Sequence, residues 1–579
     1  VAQLLSGQLK PSNNFFKLSD MSTTRQTLFE ENHMHSIFSN DGKHSIEQIF
    51  EYNLLHDQLD LVISDHVDKN TDWFSGYVEE IKRLREKYPQ FMIRIGCEVK
   101  ILEDGTLNTS KEILDASEVV IGSVHHFSNI KTMSSAEMIE KEYELSMMLA
   151  KHPEVDVLGH PFSMCNRFHK TAPPMEYVKN VYDLCKKNGI KFECNSKQAI
   201  GAVRELIESE IAKGNTQHLS FGSDVHEQLN EIGDAAFAFV DPVTVLVTGA
   251  GAGIGQSIIK SLKNSLVRTR IISVDMSPVE AGLYRSDAAY VVPGANDPAY
   301  IKALQDICTA EHVDLLLIGT DVELGVLAEN KETFERETGT HIIVSDPKTI
   351  EIADDKWKTM EFLESNNFPH IRSALADTVD DFLRDVQFPL VVKPRCGARS
   401  IGFHVVKDES TLRTILKEHT DSIIQDYLPE EDEEYTCGGF FYDNECYGVI
   451  SMKRWLRDGD TYKAIARNNP KLEQYIERVG KALSITGPCN FQLRHSGGEY
   501  KIFEINCRFS GTTGAASALG FNVVNALLQK MFLGRSFHRL AFRESYVMRY
   551  WNEVFASLDT VETMTQGHIE NPDSSLNEI

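Results

Sequence analysis

Two histidines one residue apart, His33 and His35 in HMHSIFSNDG, precede Asp41 and open a series of ionisable residues at the ends of short apolar runs. LVISDHV supplies Asp65 and His66, RIGCEV supplies Glu98, IGSVHH supplies His125, VLGHPF supplies His160, and FGSDVH supplies Asp224 and His226. On extended backbone, residues i and i+2 share a face, so His33 and His35 can reach one ion. Imidazole and carboxylate ligands without thiolate suit Zn2+, Mn2+ or Fe2+. Such ions make hydroxide available near neutral pH and neutralise phosphate oxygens. A nitrogen or carboxylate at nearly every strand end favours one shared metal cradle over a scatter of unrelated polar side chains.

A second set lies further along. FPLVVKPRCGARSIGFHVV puts Lys393 at the end of an apolar run, ahead of a loop with Gly397, Ser400 and Gly402. GPCNFQLRHSGGEYKIFEINCRFSGTTG places Gln492, Glu504, Asn506 and Arg508 on two neighbouring strands. Strand alternation turns Glu504 and Asn506 to the same side, and a hairpin through HSGG can set Gln492 beside them. Oxygen ligands of this kind suit Mg2+ bound jointly with a triphosphate.

These side chains need elements to hold them. From Glu47 to about residue 225, helix-like stretches such as EEIKRLREKY and MEYVKNVYDLCKK alternate with the apolar runs. That is the layout of a parallel α/β barrel or sheet with reactive groups at the C-terminal strand ends. The texture changes at about residue 241, where DPVTVLVTGAGAGIGQSIIKSLK reads as loop, strand, glycine turn and helix. A nucleotide-type α/β domain begins in this way, and IISVDMS and VDLLLIGTD continue it as parallel strands. DDKWKTMEFLESNNFP predicts a helix stopped by proline, and the segments around Lys393 and IIQDYLPEEDEEYTCGGFFYDNECYGVISMKR predict antiparallel sheet. HIENPDSSLNEI predicts a frayed tail. The first twenty residues lack the charged start and apolar core of a signal peptide, and are set aside as a leader or cloning remnant.

A chain of 579 residues exceeds one ordinary core, so several domains are expected. With 42% apolar and 25% charged residues it reads as soluble and globular. A net charge of −26 argues against general binding to nucleic acid or anionic membranes, and no apolar run is long enough to span a bilayer. Ten cysteines, scattered singly without a CxxC pair, point to a reduced, cytoplasmic chain without cysteine-based zinc sites.

HMHSIFSNDG, SDH, GCE, SVHH, GHPF and SDVH, in that order, resemble the motifs of the PHP (polymerase and histidinol phosphatase) family, over residues 31 to about 230. The resemblance implies a distorted (β/α)7-type barrel and a metal-dependent phosphoesterase. It also implies two or three Zn2+, Mn2+ or Fe2+ ions. The first would be held by His33, His35, Glu98 and Asp224; the second by Glu98 as a bridge with His125 and His160; the third by Asp41, His66 and His226. Some members carry histidine where this chain has Asp41, and Arg167 could add a phosphate contact.

The second half, about 243–540, resembles the ATP-grasp superfamily near the carbamoyl-phosphate synthetase large chain, with FEINCRFSG as its most specific motif. This implies a Rossmann-like pre-ATP-grasp domain and then an α+β ATP-grasp domain that activates a carboxylate as an acyl phosphate, with ATP and Mg2+. By position, Lys356 and Lys393 would contact ATP phosphates, Gln425, Asp426, Tyr427 and Leu428 would form the adenine hinge, and Glu434 would take the ribose hydroxyls. Gln492, Glu504 and Asn506 would arrange Mg2+, Arg508 would stabilise the transferred phosphoryl group, and loop 395–402 would close over the triphosphate.

The α/β multidomain organisation expected is a leader (1–20), a PHP domain (21–240), a pre-ATP-grasp domain (241–350), an ATP-grasp domain (351–545) and a C-terminal segment (546–579). A bifunctional enzyme follows, acting on a small phosphate ester and on carboxylate and amine substrates, with homo-oligomerisation left open. One alternative is a nuclease or proofreading module joined to a regulatory nucleotide-binding half, which the acidic chain disfavours. Another is a nicotinamide-dependent dehydrogenase fused to a hydrolase, because TGAGAGIG fits TGxxxGxG. No Tyr-x-x-x-Lys follows Gly255, however; Tyr182 and Lys186 have that spacing but lie upstream.

Overall fold

A computed structural model describes residues 30–56, 60–89, 92–229, 232, 233, 235, 238, 239, 241–397, 402–429, 433–457, 459–533, 539–550 and 552–572. The leader, Ser400 in the loop after Lys393, the first three acidic residues of EEDEE and the last seven residues of the tail lie outside the described residues. Two compact units divide the chain. The first runs to Pro242, together with Leu266–Arg268 and Leu528–Arg535, and the second takes the rest from Val243.

In the first unit the strands are β1 (Glu30–Met34), β2 (Asp60–Ile63), β3 (His66–Val67), β4 (Ile93–Lys100), β5 (Val119–Ser123), β6 (Val157–Leu158), β7 (Lys191–Cys194) and β8 (Leu219–Phe221). They pair in parallel in the order β1-β2-β4-β5-β6-β7-β8, with β3 beside β4. Past β8 the chain returns to β1: the Asp224 N–H donates to the His33 carbonyl at 2.9 Å, and Met34 bridges Val225 in parallel. The sheet is therefore nearly closed. Parallel pairing brings all C-terminal strand ends to one edge, and the ionisable series of the sequence collects there.

The connecting helices form because their apolar residues recur at helical spacing. In Phe74–Lys87 the buried positions are Phe74, Tyr77, Ile81 and Leu84, one stripe laid on the sheet. Ser134–Glu137 makes a reciprocal capping box that starts Ser135–Leu149.

The second unit carries three sheets. The first is a parallel sheet of β9 (Val243–Val247), β10 (Thr269–Asp275), β11 (Ala288–Val291), β12 (Leu315–Leu317) and β13 (His341–Ile342), in the order β13-β12-β9-β10-β11. A small antiparallel sheet joins β14 (Ser373–Leu375), β15 (Leu390–Pro394), β16 (His404–Val406) and β17 (Ser422–Asp426). The third, also antiparallel, is built from β18 (Glu433–Tyr442), β19 (Glu445–Arg457), β20 (Asp460–Ala466), β21 (Gly487–Ser496), β22 (Glu499–Asn506) and β23 (Ser545–Met548), in the order β22-β21-β18-β19-β20-β23. Gly497 and Gly498, both at positive φ, make the turn between β21 and β22. One continuous core runs from the parallel sheet, through Leu246 and Leu316, to the last antiparallel sheet at Phe441, Phe491 and Ile505.

The tail departs from expectation. Instead of fraying from His568, it contributes β24 (His568–Glu570), antiparallel to β11. His568 stacks on Tyr290 at 4.2 Å and Arg270 pairs with Glu570 at 3.1 Å, contacts that a tail's polar composition does not reveal. Among the described residues no helix is long and apolar enough to cross a membrane, and the ten cysteines are free.

Candidate functional site

Glu98, near the end of β4, is the centre of the first unit's cluster and is 1% exposed. Its Oε1 lies 3.0 Å from His125 Nε2 and 2.9 Å from His160 Nε2. Its Oε2 lies 2.8 Å from His66 Nδ1, 3.4 Å from His33 Nε2 and 3.6 Å from His35 Nε2. Asp224 Oδ1 is 3.2 Å from His35 Nε2 and 3.6 Å from His33 Nε2. Asp41 Oδ2 stands 3.3 Å from both His66 Nε2 and His226 Nε2. All nine metal-ligand candidates named from the sequence in the first unit thus converge.

Ligand atoms come within mutual reach in four overlapping groups: His33–His35–Asp224, His33–Glu98–His160, His66–Glu98–His125 and His35–Asp41–His66–His226. The partition differs in detail from the one the resemblance implies, since His33 also faces His160 and His35 also joins the Asp41 group. Donor chemistry fits divalent ions. His33 Nε2 and Glu98 Oε2 are buried, face each other, and have no hydrogen-bond partner, and two lone pairs so placed call for a cation between them.

The same negative charge that suits a metal cation also draws protons. Burial disfavours a charged His33, but Glu193, Glu98 and Asp224 together outweigh it and hold its pKa well above the usual imidazole value. Burial likewise opposes the charge on Glu98, yet His125, His33 and His66 hold its pKa well below the carboxylate range. The cluster opens into a cavity of about 970 Å³ whose lining includes Phe38, Trp73, Arg167 and Lys170.

Three carboxylates around this cluster were given no ligand role from the sequence, although Asp65 stands in the strand-end series. Asp65, noted only as a strand end, accepts from the amides and hydroxyls of Ser36 and Ser39 at 2.6–3.0 Å. Glu193 accepts from His33 Nδ1 at 2.7 Å and from the His160 amide. Glu31, whose pKa burial pushes up to about 7, accepts from the amides of His33, Ser223 and Gly233 at 2.7–3.2 Å. The available signal was a charged residue inside a buried strand run, as in EENHM and KFEC.

The second unit encloses a cavity of about 670 Å³, lined by Lys356, Lys393, Gln425–Leu428, Glu434, Gln492, Glu504 and Arg508. Gln492 and Glu504 are register partners across β21 and β22, with Gln492 Nε2 3.4 Å and Asn506 Nδ2 2.9 Å from Glu504 Oε1. Lys393 Nζ donates to the Phe503 carbonyl at 3.4 Å, and burial, with Lys356 adding to it, brings its pKa down to about 8. Lys356 Nζ donates to the Gly397 carbonyl at 2.8 Å. In the hinge segment, Gln425 is tied to Ser373 at 2.9 Å and Asp426 to Arg372 at 2.7 Å.

Two residues are more engaged than their implied roles require. Glu434 is clamped by Arg454 through Oε1 at 2.7 Å and by Arg494 through Oε2 at 2.8 Å. Arg508 makes a bidentate pair with Asp321 at 2.7 and 3.0 Å and gives its remaining nitrogen to the Phe509 carbonyl. Sequence reading had not singled out Asp321 or Arg454. The glycine turn also reaches this cavity, where Ala252–Ile254 stand with Gly319–Val322 and Ser510–Thr512 on its wall.

Residues 245–343 match the family model described as PylC-like, N-terminal domain, and residues 418–554 match that of ATP-grasp in the biosynthetic pathway with Ter operon. The arginine-specific carbamoyl phosphate synthase large chain of Neurospora crassa is 24% identical over 333 residues, covering 52% of this chain and 28% of the relative. The carbamoyl phosphate synthase large chain of Archaeoglobus fulgidus is 22% identical, covering 53% and 30%. The chain thus spans less than a third of the length of these two curated relatives. Among solved structures, the biotin carboxylase of Campylobacter jejuni with β,γ-ATP aligns at TM-score 0.43 and 14% identity, over 52% of this chain and 74% of that one. The ADP complex of N5-carboxyaminoimidazole synthetase from Staphylococcus aureus aligns at 0.42 and 16%, over 58% and 94%. An ATP-grasp region with a PylC-like region before it therefore lies in the second unit.

Proposed function

We propose that the chain is a two-site enzyme, with an ATP-dependent ligase of the ATP-grasp type in the second unit and a metal-dependent phosphoesterase of the PHP type in the first. The ligase reading rests on the family matches and on the juxtaposition of Gln492, Glu504 and Arg508 around one cavity with two lysines, Asn506 Nδ2 standing 2.9 Å from Glu504 Oε1 beside it. Glu504, Asn506 and Gln492 would hold Mg2+ with the triphosphate, and Lys356 and Lys393 would take phosphate oxygens. A substrate carboxylate attacks the γ-phosphorus and ADP leaves. An amine or similar nucleophile then attacks the acyl carbon of the mixed anhydride and phosphate departs. Residues of the cleft position the reactants and stabilise charge on the moving phosphoryl group.

For the first unit, one observation supports the reading: five imidazoles face the single buried carboxylate of Glu98, with lone pairs left unpartnered. Divalent ions in these groups would supply charge neutralisation for a phosphate ester and a lowered pKa for water. Glu98 belongs to two of the four groups, His33–Glu98–His160 and His66–Glu98–His125, and so links them. Arg167 and Lys170 on the cavity wall add positive charge for an anionic substrate.

Metabolite pools supplied with ATP, Mg2+ and Mn2+ test both halves. ADP formation with a new product mass should vanish in Glu504→Ala, and phosphate release from added phosphomonoesters should vanish in His33→Ala. Activity on single-stranded nucleic acid but on no small ester would instead favour the nuclease alternative. Wild type that neither binds ATP nor releases phosphate would overturn the proposal.

A further inference from the structure

Taking the first unit's cluster as a metal centre, its ligands do not hold themselves in place. Three carboxylates behind them, Glu31, Asp65 and Glu193, are each at most 1% exposed and take their hydrogen bonds from the segments that carry the ligands. Their attachments differ. Glu193 accepts the His33 Nδ1 proton at 2.7 Å, which leaves Nε2 as the bare nitrogen facing Glu98 and Asp224. Its other oxygen takes the amide of His160, whose Nε2 lies 2.9 Å from Glu98.

Asp65 works elsewhere. It gathers Ser36 and Ser39, the turn that leads from His35 to Asp41. Ser39 Oγ in turn lies 3.4 Å from His35 Nδ1 and accepts the His66 amide at 2.9 Å.

We propose that Glu193 and Asp65 are positioning residues that divide the centre between them: Glu193, through His33 and His160, sets the groups His33–His35–Asp224 and His33–Glu98–His160, and Asp65, through Ser39, sets the group His35–Asp41–His66–His226. Neither is a ligand. Each acts by fixing the direction of a ring nitrogen or the path of a ligand-bearing turn. Outer partners of metal-bound histidine typically change metal affinity 10–100-fold.

The full chain, stripped with chelator, is titrated with Mn2+ by calorimetry, and bound metal is counted by elemental analysis. Glu193→Gln turns one of two acceptors into a donor facing either the His33 ring or the His160 amide. It should weaken about two binding events by roughly 10–100-fold and spare the remaining one. Asp65→Ala should do the reverse, weakening most the event at the His35–Asp41–His66–His226 group and least the one at His33–Glu98–His160. Should Asp65→Ala fail to fold, Ser39→Ala removes only the relay and should weaken that same event most. A melting curve run beside each titration separates this pattern from loss of folding.

Variants that bind Mn2+ like wild type, or that weaken all events equally with a lowered melting temperature, overturn the division of labour while leaving the metal centre standing. A wild-type chain that binds no Mn2+ overturns the metal-centre reading itself, and this inference with it.

Discussion

At the scale of single residues, Glu98 and Lys393 carry the sharpest consequences. Glu98→Gln should remove at least two bound ions and lower phosphate release by about 100-fold or more, read by metal analysis and phosphate assay on the same sample. Lys393 has a folded-state pKa of about 8, below its ordinary value, because burial and Lys356 outweigh Glu504. The unfolded chain therefore binds more protons than the folded one between about pH 8 and 10.4, and stability should rise with pH across that window. A bound polyphosphate favours the charged amine, so Mg-ATP binding at about pH 8.5 should take up a fraction of a proton. Calorimetry in buffers of different ionisation enthalpy measures it, and Lys393→Arg should abolish the uptake. A buffer-independent heat in wild type would refute the assignment.

Legibility at this scale followed chemical type. The ligand histidines stood out because imidazole is uncommon and recurred at strand ends. Glu31 and Glu193 did not, because a carboxylate within an apolar run looks like any strand residue until its amide partners are in place. Asp321 is separated from Arg508 by 187 positions, and no spacing rule spans that distance.

At the scale of elements, the glycine turn separates two kinds of requirement. A Cβ on Gly255 would fall 2.3 Å from the Gly249 carbonyl oxygen, whereas one on Gly253 meets nothing within 4 Å. Gly255→Ala should cost about 1–3 kcal/mol and lower the melting temperature. Gly253→Ala should fold like wild type and change only what the cavity accepts. Equal melting temperatures for the two variants would show that the turn is looser than its packing indicates. The glycine turn is legible as a motif, but which glycine packs against backbone and which, like Gly253, lines the cavity cannot be read from spacing. Alternation also revealed the β21–β22 hairpin and its Glu504–Asn506 face, since period two and a Gly-Gly turn are local signals. β24 escaped because its pairing partner lies nearly 300 residues upstream.

At the scale of the molecule, the two proposed chemistries rest on different residues in different units, so they should separate cleanly. Glu504→Ala should leave phosphate release within about twofold of wild type, and His33→Ala should leave ATP turnover equally intact, since additivity holds for sites that share no partners. Loss of both activities in either single variant would argue for a shared intermediate. Within the second unit, the Arg508–Asp321 pair has its own implication. If Arg508 takes the transferred phosphoryl group, as proposed, that group displaces the Asp321 carboxylate from the guanidinium rather than water alone.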